Sequence, residues 1–285
     1  MVTPQEIRRL ERLAAEMRLQ IVRMMGPGKA HHFGGSLSAA DLVTALYFYK
    51  MRYDPANPSW PDRDRFLMSK GHSVPAQYAA LAMLGVLPLE ELATLKQLGS
   101  RLQGHPAMHC TPGLEGCTGS LGQGLSYANG LALAARLQGR DYRVYCLLGD
   151  GELHEGQVWE AAMTAPRHRL TNLTALVDQN GLKAMDAVAA AKSLEPLDER
   201  FAAFGWAVRR IDGHSMAEIC AALDWATSQS ERPAVILART IKGKGVSFIE
   251  NQVAYHNAAL TEAQHAAAIA ELTARLEEVT GCRSA

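Results

Sequence analysis

The stretch from Arg143 to Leu182 constrains the fold of this chain more than any other stretch. Two short apolar runs, at 144–148 and 173–177, enclose a segment with helical spacing. Two strands joined by a helix of this length form a βαβ unit, whose strands are parallel neighbours. The sequence therefore predicts a parallel sheet with this unit inside it.

Polar residues follow both strands of the unit at the point where each strand ends, at 149–151 (Gly-Asp-Gly) and 178–181 (Asp-Gln-Asn-Gly). The carboxyl ends of parallel strands lie side by side, so Asp150 and Asn180 are expected to point toward one location. Gly151 lets backbone N–H groups approach a ligand near a helix start. A carboxylate, an amide oxygen and free carbonyls suit a hard cation such as Mg²⁺ with phosphate oxygens as further ligands. The alternative is two ordinary turns, because both sequences are good turn formers.

Composition narrows the class of protein. The 285-residue chain is long enough for a large core, and its 29 basic and 29 acidic residues leave no net charge, so nothing indicates binding to nucleic acid or to an acidic membrane surface. Five cysteines without CxxC spacing indicate a reduced, intracellular protein. The charged N-terminus is unlike a signal peptide, and no apolar stretch is long enough to span a bilayer. We therefore expect a cytoplasmic protein.

Helical patterns flank the central unit. Apolar residues at helical spacing predict an amphipathic helix over 3–25 and a surface helix over 259–279, both as appendages to the fold. Ser38 is predicted to cap the N-terminus of a helix over 39–49.

Further strands are predicted at 65–69, 206–211 and 234–240, alternating with helices. The pattern contains no internal repeat and no second domain. It predicts a single α/β domain over residues 1–285, doubly wound, with a mostly parallel sheet and helices on both faces.

Four histidines lie in or beside predicted loops, namely His32, His72, His105 and His256. Any one of them alone would be an ordinary solvated residue. His72, however, follows the strand predicted at 65–69 and should lie at the same sheet edge as Asp150. Imidazole donates to phosphate oxygens and moves protons near neutral pH, so the set indicates phosphate binding or catalysis.

These motifs resemble those of transketolase. Residues 149–151, followed by 178–180, resemble the family's thiamine diphosphate fingerprint. The amino-acid sequence of 149–161 (Gly-Asp-Gly-Glu-Leu-His-Glu-Gly-Gln-Val-Trp-Glu-Ala) is also similar to that of transketolase. The resemblance runs in order along almost the whole chain. Its further motifs are Lys70-Gly71-His72, Gly104-His105-Pro106, Thr118 to Gly124 (Thr-Gly-Ser-Leu-Gly-Gln-Gly) and Ile241 to Gly245 with His256 downstream.

The resemblance implies a thiamine diphosphate-binding fold and a set of cofactor contacts. Mg²⁺, for which Ca²⁺ or Mn²⁺ can substitute, would be bound by Asp150, Asn180 and the backbone carbonyl of Leu182. The implied contacts to the cofactor come from His72, Gly119, Leu121, Gly151, Glu152, Asn180 and His256, with Gly119 and Leu121 against its rings.

Catalytic residues on the substrate side are implied as well. His105 would meet the sugar, and His256 would reach both the diphosphate and the reaction centre. His32 matches the family's substrate-side histidine, although the adjacent His31 is a rival for that position. Glu155 and Glu160 resemble acidic residues that link the two cofactors of a dimer, and Glu155 is counted among the catalytic residues; the alternative for both is an exposed helix face.

Two departures from the family pattern affect the interpretation. Residues 182–187 (Leu-Lys-Ala-Met-Asp-Ala) replace the usual Ile-Asp-Gly beside the cofactor. Transketolases are also far longer, and the part that carries the glutamate that activates the cofactor has no counterpart here.

The resemblance therefore implies the N-terminal subunit of a split, two-gene transketolase. It would transfer a two-carbon ketol unit from a ketose or ketose phosphate to an aldose, together with a separate C-terminal subunit in a heterotetramer. The alternatives are a related thiamine diphosphate-dependent lyase or acyl-transferring subunit, and a scaffold subunit without turnover.

Overall fold

A parallel sheet forms the centre of the fold in the computed structural model, which describes residues 2–191 and 193–281. The strands of the described chain are β1 (Ala30–His31), β2 (Arg65–Met68), β3 (Val144–Gly149), β4 (Leu173–Gln179), β5 (Ala207–Asp212), β6 (Ala234–Arg239) and β7 (Ala258–Ala259). Five of them form one sheet in the order β2-β3-β4-β6-β5, with every neighbouring pair parallel. The short strands β1 and β7 pair antiparallel outside it.

Helices cover both faces of this sheet. The α-helices are α1 (Pro4–Met25), α2 (Phe33–Ser38), α3 (Ala40–Ala45), α4 (Val74–Met83), α5 (Gln123–Leu137), α6 (Gly156–Arg167), α7 (Val188–Ala191), α8 (Leu197–Ala203), α9 (Met216–Thr227) and α10 (Glu262–Thr280). A π-helical turn covers Leu46–Lys50, and 3₁₀ turns cover Gly71–Ser73, Leu89–Thr94, Gly151–His154 and Val253–His256.

Alternate strand residues enter two separate hydrophobic cores. On β3, Tyr145 and Leu147 pack with α1, α3, α4 and α9. Cys146 and Leu148 point the other way and pack with α5, α6 and α8. This two-sided burial explains why the strands read as continuous apolar runs, and it confirms the predicted doubly wound α/β fold.

The appended helices have clear start signals. The Thr3 hydroxyl accepts a hydrogen bond from the Glu6 N–H at 3.2 Å, and α1 then begins at Pro4. The C-terminal helix begins at Glu262 rather than at the predicted 259, because Thr261 and Gln264 form a capping box and Ala259 pairs with β1. α1 and α10 pack against each other.

The prediction for Ser38 was wrong. The helix before it begins at Phe33, and Ser38 is its last residue. The buried Ser38 hydroxyl donates to the Asp178 carboxylate at 2.5 Å instead of capping a helix start. A buried carboxylate is the stronger acceptor, and it determines the orientation of this side chain.

Four cysteines in the described residues, Cys110, Cys117, Cys146 and Cys220, are free; Cys282 lies outside them. Among the described helices, none combines the length and apolar character that crossing a membrane requires.

Candidate active site

A cavity of about 230 Å³ lies at the carboxyl edge of the sheet, where β2, β3, β4 and β6 end. Most of the residues predicted to contact a cofactor line it, namely His72, Leu121, Asp150, Gly151, Glu152, Asn180, Leu182 and His256. A more open groove of about 430 Å³ at the carboxyl ends of α5 and α6 contains none of the predicted residues. We therefore place the candidate site at the sheet edge.

The three predicted metal ligands are tied together by short backbone hydrogen bonds. The Asp150 carboxylate accepts from the N–H groups of Gly151 at 2.8 Å and Gly181 at 2.6 Å. The Asn180 side-chain oxygen accepts from the Leu182 N–H at 3.2 Å. One carboxylate, one amide oxygen and one carbonyl are hard oxygen ligands, so this donor set fits Mg²⁺.

The electrostatics of Asp150 also fit a cation. Burial first, and the neighbouring Asp178 carboxylate second, raise the pKa of Asp150 to about 6. A divalent ion beside it would offset both effects. The described residues contain no group of three or more His, Cys, Asp or Glu placed to hold a metal. A cation here would therefore depend on the amide and carbonyl oxygens and on oxygens of its ligand.

Two buried lysines that sequence reasoning missed enter the same cavity. Lys242 donates to the carbonyl oxygens of Leu182 at 2.9 Å and Lys183 at 3.0 Å, and its Nζ lies 2.9 Å from Nδ1 of His256. Burial, and then the Lys70 ammonium, lower the pKa of Lys242 to about 8. A carbonyl oxygen has two lone pairs, so its contact with Lys242 leaves Leu182 one position for a metal.

Lys70 belongs to a fully buried polar network around Asp178. The Asp178 carboxylate pairs with Lys70 and accepts from the hydroxyls of Ser38 and Thr240. Burial alone would raise the pKa of Asp178, but Lys70 and these donors outweigh it, and the pKa is lowered. Asn180 also donates to Asp178, at 3.4 Å. This network, which we call the Asp178 network, joins α2 to the ends of β2, β4 and β6.

The buried side chain of Glu152 joins three segments next to the cavity by hydrogen bonds. Its carboxylate accepts from the Ser69 hydroxyl at 2.5 Å, the Gly122 N–H at 2.9 Å and the Gly149 N–H at 3.0 Å. The contribution predicted for Glu152 was its backbone N–H, and the carboxylate has a separate role. It holds the 118–124 loop against the end of β3.

The 118–124 loop lies close to two of the histidines. A Cβ on Gly71 would lie 2.1 Å from the Thr118 carbonyl oxygen, so only glycine fits just before His72. A Cβ on Gly119 would lie 3.8 Å from the His105 ring. Gly122 has φ +84° and starts α5 in the left-handed region.

All four predicted histidines come together. Ring centroids are 4.9 Å apart for His32 and His72, 5.1 Å for His72 and His256, 5.5 Å for His32 and His256, and 6.3 Å for His32 and His105. We call this group the histidine cluster. His31 lies outside it, 2% exposed and packed edge-on against Phe33, so the structure places His32 rather than His31 beside the other three.

Burial keeps these histidines neutral. It is the first cause that lowers the pKa of both His32 and His256 to about 4, and neighbouring histidines and lysines add to it. The pKa of His72 is lowered well below its usual value for the same reasons. A neutral imidazole can donate at one nitrogen and accept at the other, which suits proton transfer at a substrate hydroxyl.

Glu155 and Glu160 do not line the cavity. Both side chains are exposed, and Glu155 is the residue before α6. This agrees with an exposed helix face, and it also leaves both carboxylates accessible to another subunit.

The atypical loop after Leu182 forms a closed turn. Leu182 and Ala187 form an isolated bridge, and the Lys183 N–H donates to the Asp186 carbonyl at 2.8 Å. Ala184 faces the cavity, whereas Met185 is 91% exposed. Lys192, at the end of this Ala-rich segment, lies outside the described residues.

The structure is an α/β protein with a cavity at the carboxyl edge of its sheet, and the residues around this cavity would suit an anionic ligand with a metal. The family model for the transketolase thiamine diphosphate binding domain matches residues 10–277. The chain belongs to this family, and the expected resemblance to an N-terminal transketolase subunit, which is a transferase, is confirmed.

Individual relatives agree with this assignment. The chain is 46% identical over 257 residues to a 6-deoxy-6-sulfo-D-fructose transketolase subunit of Clostridium sp. (strain MSTE9). The aligned region covers 90% of this chain and 92% of that protein. It is 39% identical over 274 residues to an apulose-4-phosphate transketolase subunit of Phocaeicola vulgatus, with coverages of 96% and 97%. These relatives do not favour the alternatives of a related lyase or a scaffold subunit.

A solved transketolase shows the same fold in a longer chain. A mutant of the Pichia stipitis enzyme superposes with a TM-score of 0.86 at 30% identity, covering 95% of this chain but only 44% of that one. The chain thus spans less than half of that transketolase.

Proposed function

We propose that this chain is the cofactor-anchoring subunit of a two-subunit transketolase, which transfers a two-carbon ketol unit from a ketose or ketose phosphate to an aldose. The observation that carries the proposal is that the metal-type oxygen ligands line one cavity together with His72 and His256, two members of the histidine cluster. The similarity to relatives called transketolase subunits supports the division into two chains.

The cofactor of this reaction would be thiamine diphosphate with Mg²⁺, which supplies a carbon nucleophile and an electron sink for C–C cleavage. Asp150, Asn180 and the Leu182 carbonyl would hold the metal. His72, His256 and the N–H groups of Gly151 and Glu152 would bind the diphosphate, as their position at the cavity wall supports. Gly119 and Leu121 would lie against the rings.

The histidine cluster would bind and orient the sugar substrate. His32 and His105 would orient the sugar hydroxyls, and His256 would hold or move a proton at the reacting oxygen. Their lowered pKa values keep these rings neutral at pH 7, and a neutral ring has one nitrogen that can accept a hydrogen bond from a sugar hydroxyl. Glu155 and Glu160 would link sites across a subunit interface.

A separate C-terminal subunit would supply the glutamate that activates the cofactor. The assembly would be a heterotetramer with two copies of each chain, in which residues 1–285 form one domain. We also propose a cytoplasmic location, in keeping with the reduced cysteines expected from the sequence.

Reconstitution tests this proposal. The chain is purified alone and after co-expression with a separately encoded C-terminal transketolase subunit, and ketol transfer is assayed with thiamine diphosphate and Mg²⁺. We expect turnover only from the complex. Full turnover from the chain alone would contradict the two-subunit division. A complex that carries Asp150→Ala is the matched inactive control.

A further inference from the structure

Lys96 connects the two loops that carry substrate-side histidines. Its Nζ donates to the carbonyl oxygen of Ala30 at 2.7 Å, two residues before His32. Its stem packs along Gly104, where a Cβ would lie 3.5 Å from Cδ of Lys96 and 3.6 Å from Cε. Gly104 immediately precedes His105, so one side chain contacts both loops.

The backbone of Lys96 is held in an unusual conformation. Its φ is +58°, in the left-handed region that a lysine rarely adopts. The Lys96 N–H donates to the Leu102 carbonyl at 2.9 Å and stabilises this turn. Strained backbone of this kind concentrates at ligand-binding positions, because it aims a side chain that an ordinary turn would direct elsewhere.

The Lys96 ammonium keeps unused hydrogen-bond donors. Lys96 is exposed and forms no ion pair within the described part of the chain, whereas the nearby Arg101 is paired with Glu91 at 2.6 Å. An ammonium group has three N–H donors, and the Ala30 carbonyl takes one of them. Two donors therefore remain for a ligand, on an exposed side chain that contacts the loops before His32 and His105.

The charge of Lys96 acts on this part of the site. After burial, Lys96 is the main cause that lowers the pKa of His105, and it contributes to the lowered pKa of His31 and His32. Lys29 adds a second cation beside His31. The surroundings of His105 and His31 therefore carry positive charge.

We infer that Lys96 is a specificity-determining residue that binds a tetrahedral oxyanion at the end of the ketose remote from its carbonyl. The inference rests on the proposed function and names the substrate class, a ketose with a phosphate or sulfonate tail. A phosphate and a sulfonate share three acceptor oxygens and a negative charge, which suit an ammonium donor. The relatives named for a sulfo sugar and for a sugar phosphate are in keeping with this class.

The test uses the two-subunit complex with three donors, fructose 6-phosphate, 6-deoxy-6-sulfo-D-fructose and uncharged fructose, and glycolaldehyde as an uncharged acceptor. Lys96→Met removes the charge and keeps the stem, whereas Lys96→Arg keeps the charge. We expect Lys96→Met to raise KM about ten- to hundred-fold for the charged donors and less than about three-fold for fructose, with kcat nearly unchanged. Lys96→Arg should recover most of the loss, and the charged donor with the lower wild-type KM identifies phosphate or sulfonate as the preferred tail.

Lys29→Met is the matched control, because it removes a neighbouring cation that acts on His31 only. Its KM values should stay near wild type, and all variants should keep the cofactor affinity and the melting temperature of the wild-type complex. An equal rise in KM for fructose, or no change for any donor, would overturn the inference.

Calorimetry with fructose 6-phosphate separates this inference from the proposed function. Binding that depends on Lys96 in a complex without ketol transfer would support the inference and reject the proposed function. Ketol transfer in a complex whose sugar binding does not depend on Lys96 would support the proposed function and reject the inference.

Discussion

The Asp178 network and the histidine cluster both contribute residues to the wall of one cavity, and they are built in opposite ways. In the Asp178 network, the buried charges of Asp178 and Lys70 face each other and the remaining acceptor positions are filled by hydroxyl and amide donors. In the histidine cluster, the His32 ring lies against the rings of His72 and His105, and none of these three rings forms a hydrogen bond to another described residue. The Asp178 network is saturated within this chain, whereas in the histidine cluster only His256 has a polar side-chain partner, Lys242, among the described residues.

This difference follows from what each side has to do. A metal and a diphosphate need ligands held in place before binding, and a saturated buried network provides that rigidity. A substrate that arrives and leaves needs donors and acceptors that are not already used. The difference also fits a divided enzyme, since the side that lacks partners is the side where we expect the second subunit to contribute.

Removal of the Asp178 carboxylate should produce the largest effect on stability. Asp178→Ala leaves the Lys70 ammonium buried without its partner, and breaking a buried ion pair in this way costs about 3–5 kcal/mol. We expect a loss of this size in the free energy of unfolding, measured by urea denaturation of the chain. His32→Ala serves as the comparison from the histidine cluster, and it should cost much less.

Two results would change this picture. If Asp178→Ala and His32→Ala lower the free energy of unfolding equally, the two sides do not differ in the way described. The double variant Lys70→Met/Asp178→Asn should recover part of the loss, because it no longer contains a buried, unpaired charge.

Asp150→Ala should affect ligand binding more than folding. The variant loses the only carboxylate among the predicted metal ligands, so the Mg²⁺-dependent affinity for thiamine diphosphate should fall about a hundred-fold or more. Isothermal titration calorimetry on the complex, with and without Mg²⁺, measures this loss. Met185→Ala, in the exposed part of the neighbouring loop, is the control and should bind as the wild type does. Retained Mg²⁺-dependent binding in Asp150→Ala would refute the assignment of this ligand.

Sequence reasoning located the sheet and the candidate site because both depend on local patterns. Continuous apolar runs mark strands that are buried on both faces, and polar residues directly after such runs collect at one edge of a parallel sheet. Asp150, Asn180 and His72 were found in this way, and the structure places all three at the cavity.

Residues that depend on tertiary contacts were missed. Lysine is ordinarily exposed, so nothing local predicted that Lys70 and Lys242 would be 2% exposed. Their one available signal is their position just after a strand, as for Asp150. Ser38 was assigned to a cap because its acceptor, Asp178, is 140 residues away. His31 and His32 are adjacent and chemically identical, so local sequence does not distinguish them; in the structure His31 belongs to β1, which pairs with β7, and His32 directly precedes α2.

The histidine cluster should make stability depend on pH in a way that the Asp178 network does not. The pKa values of His32 and His256 are about 4 in the folded chain, below the value of 6.5 expected when unfolded. For a depressed pKa, the stabilising contribution is complete above the unfolded value and is lost as pH falls toward the folded value. The free energy of unfolding should therefore decrease between pH 6.5 and pH 4. Because both side chains are only half-buried, solvent screening reduces the full effect, and we expect a loss of about 1–2 kcal/mol for the two groups together.

Urea unfolding of the ligand-free chain at several pH values measures this loss, and variants assign it. Asp150 titrates with the opposite sign, because its pKa is raised to about 6 and folding then favours its protonated form at lower pH. Asp150 is present in both the wild type and the histidine variant, so its contribution cancels when their free energies of unfolding are subtracted at each pH. His32→Asn/His256→Gln should flatten the fall in stability between pH 6.5 and pH 4, whereas His168→Asn, at an exposed position after α6, should leave it unchanged. If the stability of the double variant depends on pH as that of the wild type does, burial in this chain does not keep the cluster neutral. A partner subunit would then be needed to keep the rings neutral for the proton transfer that we assign to them.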